Sequence, residues 1–169
     1  MKTVYLIALI VILFNVKTAL AYEDNSRYVA NWAQNAASEV MSFHFGNFEE
    51  RKKENRMFFT ETGFQKFYDA LDISQIPQVI LKNKIIVKTE VLCFPEAHQI
   101  IENQKKYWIL EFPIKMSFLQ KSKVKKDYLK VWMKVGNMQK TQPTDFGIEQ
   151  WIATETDKEH AQICSEKKR

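Results

Sequence analysis

The stretch YWILEFPIKMSFL, residues 107–119, shows most directly how this chain folds. Every even position from Trp108 to Phe118 is apolar. The odd positions include the charged residues Glu111 and Lys115. Because successive side chains of a β-strand point to opposite faces, this pattern predicts a long strand with one face on a core and the other toward water.

Three neighbouring stretches repeat the two-residue period, and we predict about four strands in all. The other strands are residues 84–94, 127–135 and 146–152. Their inward positions are Ile85, Val87, Val91 and Cys93, then Leu129, Val131, Met133 and Val135, then Phe146, Ile148 and Ile152. A lysine-rich link, Lys121 to Lys126, joins the two central strands and favours a hairpin.

The chain before residue 83 has helical periodicity instead. Apolar residues at i, i+1, i+4 and i+5 predict a helix over 26–43, with Ser26 as its N-cap. Asn47 can cap a second helix that ends near Phe58, and Thr60 a third. Ser74 begins a further helical turn. Helices followed by strands predict an α+β domain, with N-terminal helices packed on one face of a curved antiparallel sheet.

The two ends of the chain differ from this domain. Residues 1–21 combine Lys2, a short apolar core and the small-residue site Ala19 to Ala21, which predicts a cleaved secretory signal peptide. The alternative is an uncleaved inner-membrane anchor, although a spanning helix needs about 20 apolar residues. We therefore expect a periplasmic or secreted protein with one domain over 22–155 and a polar tail over 156–169.

Charge and cysteine content restrict the class of partner. Of 25 basic residues, two lie in the predicted signal peptide, so the rest of the chain has a small excess over its 20 acidic residues. This excess permits contact with an anionic surface but gives no reason to expect nucleic acid. Export permits a disulfide between Cys93 and Cys164. The alternative is a buried Cys93 and a separate thiol in the tail.

No constellation of residues indicates catalysis or a cofactor. The chain has three histidines, His44, His98 and His160, and none lies in a hydrolase or zinc motif. His160 and Cys164 have i, i+4 spacing, but two ligands do not complete a zinc site. His44 fits a turn residue with one hydrogen-bonded nitrogen. We predict no enzyme activity, no metal or cofactor, and no small-molecule ligand.

Aromatic residues outside the inward pattern are the best candidates for an interaction surface. Large exposed aromatics often mark interfaces, and a second layer of structure over the sheet is the alternative. The candidates outside that pattern are Tyr107, Tyr128, Trp132 and Trp151 on the outer strand positions. Trp32 belongs to the apolar stripe of the first helix and is a candidate if that helix also binds a partner. The lysines from Lys121 to Lys126 could contact lipid headgroups or an acidic partner. A solvated hairpin tip is the simpler interpretation.

An ordered series of segments resembles the DotI/IcmL family of type IVB (Dot/Icm) secretion components. The segments are NWAQNAA (31–37), SFHFGNF (42–48), FFTETGFQKFYDAL (58–71), NKIIVKT (83–89), YWILEFPIKMSF (107–118) and FGIEQWIA (146–153). The family's periplasmic domain resembles the assembly-factor domain of other type IV systems, which has a nuclear-transport-factor or cystatin-like fold. Family members carry a transmembrane helix before this domain, where this chain has the predicted signal peptide.

The resemblance implies a non-enzymatic envelope module that binds other secretion components, or itself, by scaffolding contacts. It implies no catalytic residues. The alternative is a small-ligand-binding protein or enzyme with a pocket inside the α+β fold, since fold alone does not determine function. A secreted effector is a third interpretation.

Overall fold

The computed structural model describes residues 25–138 and 145–161 of the chain. Helix α1 is described over 25–40, and a helical turn over 158–161. The other helices are α2 (Phe48–Asn55, continued by a 3-10 turn, Arg56–Phe58), α3 (Glu61–Ile73) and α4 (Ile76–Asn83). The strands are β1 (Phe43–His44), β2 (Ile86–Val91), β3 (Glu96–Glu102), β4 (Lys105–Gln120), β5 (Lys123–Asn137) and β6 (Phe146–Glu155).

All strand pairs in the sheet are antiparallel, and the order is β1-β2-β4-β5-β6. Strand β3 also pairs with β4, on the same edge as β2 but nearer the start of β4. The change from β3 to β2 falls between Glu111 and Ile114. Pro113 lies in this gap, where its missing N–H breaks no ladder hydrogen bond, and its carbonyl accepts from the Leu92 N–H.

The described sheet has six strands rather than the predicted four or so. The two additional strands lack the pattern that reveals the others. Strand β1 is two residues long, and β3 is exposed or half-buried throughout, so neither shows an inward stripe. The turn after β3 has left-handed backbone at Asn103 and Gln104, which is the geometry of a two-residue hairpin.

The predicted lysine-rich link is also shorter than expected. Gln120 pairs directly with Lys123, so the turn is Lys121 and Ser122 alone. Lys121 has a left-handed φ of 53°. The residues from Lys123 onward already belong to β5, because cross-strand pairing with β4 continues to the turn.

Helix α1 packs against the sheet through small side chains. Ala33, Ala36, Ala37 and Val40 are fully buried, and alanines allow a helix to approach a sheet closely. The predicted stripe is therefore confirmed at these positions, whereas Tyr28, which fits the same spacing, is 56% exposed. The helix ends at residue 40 rather than 43 because Phe43 pairs with Val87 in β1.

Helix α3 is held against the edge of the sheet at its N-terminus. The Thr60 hydroxyl accepts a hydrogen bond from the Gly63 N–H at 3.1 Å, which confirms the predicted cap. The Thr60 N–H donates to the Ile148 carbonyl at 3.1 Å, and Phe59 forms a parallel bridge with Ile148. Helix α3 thus begins directly beside β6.

One buried polar contact joins α2 to α3. The Asn55 amide donates to the Tyr68 hydroxyl at 3.2 Å, and both residues are at most 3% exposed. Burial disfavours the charged phenolate and so raises the pKa of Tyr68 above its usual value near 10. The hydrogen bond from Asn55 opposes this shift but is the smaller effect.

Tyr68 should make the stability of the domain depend on alkaline pH. The unfolded chain releases this proton near pH 10, whereas the folded chain holds it longer, so stability falls as the pH rises from about 10 toward the raised pKa. Tyr68→Phe should remove this component. We expect the difference in unfolding free energy between wild type and Tyr68→Phe, measured in urea from pH 7 to 11, to shrink above pH 10. A constant difference would show that Tyr68 titrates normally.

The described part of the predicted polar tail packs against the domain. The Thr156 N–H donates to the Tyr128 carbonyl at 3.0 Å, and Ala161 in the following turn is 1% exposed. Asp157 begins this turn, and its carboxylate accepts from the His160 N–H at 2.8 Å. The hydrogen bonds to His160 lower the pKa of Asp157.

Candidate interaction surfaces

The face of the sheet that points away from the helices carries three of the predicted residues. Tyr107, Tyr128 and Trp132 all lie on this outer face and are half-buried. Trp132 pairs with Glu111 on one side and with Ile152 on the other. Ile152 is 45% exposed, so the tryptophan lies in a partly exposed apolar patch near the middle of the sheet.

Ion pairs between strands surround this patch. Lys130 pairs with Glu111 at 2.5 Å, Lys115 with Glu90, and Lys134 with Glu102. Exposed pairs of this kind contribute about 0–1 kcal/mol each, so they add little stability. They do make the outer face a pattern of paired charges around aromatic rings.

Lys134 connects the charged and aromatic parts of the outer face. Its ammonium lies 4.2 Å from the centre of the Tyr107 ring, within the range of a cation–π contact. The hydrogen bond to Glu102 raises the pKa of Lys134, which favours the charged form that a cation–π contact requires. The contact with Lys134 therefore orients the Tyr107 ring against β5, the strand that also carries Trp132.

The other two predicted residues, Trp32 and Trp151, lie on the helix side of the sheet. The ring of Trp32 is 5.8 Å from that of Phe146, and the ring of Trp151 is 5.8 Å from that of Phe67. The sequence pattern predicts that Trp151 faces outward and Ile152 inward. The structure shows the reverse, because a bulge at Glu149 shifts the pairing between Lys134/Gln150 and Val135/Ile148.

Trp151 lines a surface groove between α3 and β6 with a volume of about 450 Å³. Phe67, Leu71 and Leu129 form the apolar part of the groove with it. The other lining residues are Met41, Gly63, Lys66, Ala70, Ser74, Ile76, Glu149, Gln150, Ala153 and Glu155. None of these is a histidine, aspartate or cysteine. The groove is thus an apolar surface feature with charged residues at its rim.

Comparison with known families supports the resemblance noted in the sequence. A family model described as a type IVb secretion system, inner-membrane complex component, T4BSS DotI/IcmL, matches residues 22–155. The chain belongs to the DotI/IcmL family. None of the curated protein sequences is significantly similar to it.

Solved structures show the same fold as this DotI/IcmL domain. The periplasmic domain of DotI is 22% identical, with a TM-score of 0.72, covering 76% of this chain and 94% of that one. An IcmL-like type IV secretion protein of Legionella pneumophila is 23% identical, with a TM-score of 0.70 and coverages of 77% and 92%. CagV, a VirB8 homologue of Helicobacter pylori, is 12% identical, with a TM-score of 0.59 and coverages of 76% and 98%. The expected α+β fold is confirmed.

The predicted targeting segment, residues 1–21, lies outside the described residues. Within 25–138 and 145–161, no helix has the length and hydrophobicity needed to cross a membrane. The same ranges contain no group of three or more histidine, cysteine, aspartate or glutamate side chains placed to hold a metal.

The histidines of this DotI/IcmL chain occupy ordinary structural positions. His44 Nδ1 accepts a hydrogen bond from the Gly46 N–H at 2.9 Å, as expected for a turn residue. His160 Nδ1 lies 2.6 Å from the Asp157 carboxylate. His98 is exposed and lies 4.0 Å from Glu96. Cys164, the other half of the candidate metal pair, lies outside the described residues.

Cys93 lies in the bend between β2 and β3 and is disulfide-bonded. Its predicted partner, Cys164, lies beyond residue 161, so the pairing stays a prediction. We expect denatured, unreduced protein to resist alkylation, and a protease digest to contain a fragment that joins the two cysteine peptides. Alkylation of Cys164 without prior reduction would contradict the pairing. A Cys164→Ser variant, in which Cys93 becomes reactive, is the control.

Proposed function

We propose that this DotI/IcmL chain is a non-enzymatic, periplasmic interaction module of a type IVB secretion envelope. Family membership supports the general assignment, since the family is described as an inner-membrane complex component. The outer sheet face supports the mechanism, because it presents Tyr107, Tyr128 and Trp132 on a rigid antiparallel sheet. Tryptophan and tyrosine are enriched among the residues that carry most of the binding energy in protein interfaces.

The arrangement around Trp132 resembles the centre of a protein interface. The ring has an apolar neighbour, Ile152, and a paired charge on either side along its own strand, Lys130 and Lys134. A partner that covers the ring would exclude water from it, while the ion pairs form the polar rim.

The packed interior favours this function over the ligand-binding alternative. Leu110, Ile114 and Met133, all on the helix side of the central strands, are fully buried. These side chains pack the middle of the core, and the groove between α3 and β6 opens at the surface with no histidine, aspartate or cysteine in its lining.

The direct test is affinity purification of a C-terminally tagged full-length chain from crosslinked cells, with mass spectrometry of bait and prey. We expect recovery of secretion-system subunits, and a bait that begins at Tyr22. Recovery of the bait alone would contradict the proposed role.

Trp132→Ala should reduce this recovery at least tenfold, as expected for removal of a central interface residue. Tyr28→Ala is the matched control, because Tyr28 is 56% exposed and lies on α1 rather than on the outer face. Both variants are checked by thermal unfolding. Undiminished recovery with folded Trp132→Ala would remove the outer face from the proposal.

A further inference from the structure

Strand β6 ends the sheet, and its outer side is only partly covered. Near its start, the Ile148 carbonyl accepts from the Thr60 N–H. Beyond Ile148, no described strand pairs with the outer side of β6. An unpaired edge of this kind can accept a further strand.

The hydrogen bonding shows which backbone groups are available at this edge. The Thr156 N–H donates to the Tyr128 carbonyl, so this pair is a hydrogen-bonded pair of the antiparallel ladder. Hydrogen-bonded pairs recur at every second residue of the ladder. The backbone N–H and carbonyl groups of Ile152 and Thr154 therefore also point toward β5. Trp151, Ala153 and Glu155 therefore direct their backbone N–H and carbonyl groups out of the sheet.

The groove lies directly beside these free groups. The side chains of Trp151, Ala153 and Glu155 are on the helix face of β6, and all three line the groove. Opposite them, α3 presents Phe67, Ala70 and Leu71. A strand added to β6 would point every second side chain into this apolar space.

We propose that the β6 edge binds an extended segment of another envelope protein by strand addition. The free backbone groups at Trp151, Ala153 and Glu155 pair with the segment, and the groove receives its alternate apolar side chains. This site is separate from the outer face. The proposal rests on the proposed function only in taking the segment to come from another envelope protein.

Charges at the rim indicate the composition of the segment. Glu155 lies at the far end of the groove and has no ion-pair partner within 4 Å among residues 25–138 and 145–161. Lys66 lies on α3, one turn after Gly63, at the opposite end. The matching segment has apolar residues at alternate positions, with a basic residue beside Glu155.

A second copy of this chain fits the groove less well. Two copies that pair through β6 would present Trp151, Ala153 and Glu155 to each other on the helix face. These side chains already line the groove of their own copy, so neither groove would gain an apolar side chain. The side chains of a separate segment do not already line a groove, so they are free to enter this one.

The test uses the folded full chain and a fluorescein-labelled peptide, Thr-Lys-Thr-Val-Ser-Val-Thr, whose antiparallel pairing places Lys opposite Glu155 and the two Val residues opposite Ala153 and Trp151. We expect saturable binding by fluorescence anisotropy, and slower hydrogen exchange at the Ala153 amide when the peptide is bound. The same peptide with N-methyl groups on its valine amides is the ligand control, and it should not bind. Absence of binding by the unmethylated peptide up to 1 mM would overturn the proposal.

Two variants locate the binding site. Ala153→Pro removes an N–H that the sheet does not use, and Ala70→Glu places a charge on the exposed wall of the groove. Each should weaken peptide binding at least tenfold. Ile73→Glu is the matched control, because Ile73 is 83% exposed on the same helix but does not line the groove. Equal binding by Ala70→Glu and wild type would overturn the proposed site.

Two further outcomes separate this inference from the others. Self-association of the chain that Ala153→Pro abolishes would overturn it in favour of a second copy as the occupant. Recovery of secretion subunits from cells, together with no peptide binding, would refute strand addition and leave the proposed function intact.

Discussion

Phe112→Ala should destabilise the domain by about 3–5 kcal/mol, as is typical for removal of a buried aromatic ring. Phe112 is 1% exposed and lies in the middle of β4, where it pairs with Val131. Leu110 and Ile114, its neighbours on the core face of β4, are fully buried, so the space left by the ring cannot be filled by small shifts of exposed side chains. Domains of this size have an unfolding free energy of about 5–15 kcal/mol, so this single change removes much of it.

The measurement is chemical unfolding followed by tryptophan fluorescence, with Ile109→Ala as the matched control. Ile109 lies three residues earlier in the same strand but on the outer face, where it is half-buried. We expect the control to lose less than about 2 kcal/mol, because its side chain already contacts water. Similar losses for both variants would mean that the two faces of β4 are buried alike, which would contradict the one-sided core.

The alternation of residues 107–119 predicts this core well because a long central strand places every second side chain on the same face over many residues. Trp108, Leu110, Phe112, Ile114 and Met116 are all buried as predicted. The three predicted residues of the outer face, Tyr107, Tyr128 and Trp132, share that face for the same reason.

The same rule failed where the backbone departs from regular pairing. The bulge at Glu149 inverts the two faces of β6, so Trp151 lies in the groove and Ile152 on the outer face. Bulges depend on the pairing of two strands and leave little trace in one of them. Strand β3 was missed because its pattern of exposure has no buried face.

The groove could not be predicted from the sequence at all. Its walls belong to α3 and β6, which are far apart in the chain, and its volume depends on how closely the helix approaches the strand. Phe67 and Leu71 appear in the sequence as an ordinary apolar stripe of a helix. Only their position opposite Ala153 in the structure shows that part of this stripe lines an open surface.

Gly63→Ala should destabilise the domain by about 3 kcal/mol, although alanine is the better helix former by about 1 kcal/mol. Gly63 lies in the first turn of α3, facing β6. A Cβ atom at this position would lie 2.0 Å from the Ile148 carbonyl oxygen. That atom belongs to the backbone of the sheet, so it cannot rotate away as a flexible side chain would.

Relief of this clash requires α3 to move away from β6, and the contacts beside it show what the movement costs. The hydrogen bond from the Thr60 N–H to Ile148 would lengthen, and Phe59 would lose its bridge to the same residue. Thr62→Ala is the matched control, because Thr62 is exposed in the same turn and should gain a few tenths of a kcal/mol from helix propensity alone. Unfolding in urea should therefore separate two alanine substitutions at adjacent positions by about 3 kcal/mol. Equal stability of the two variants would show that α3 is not held against β6 at Gly63, and the groove would then lack its closed end.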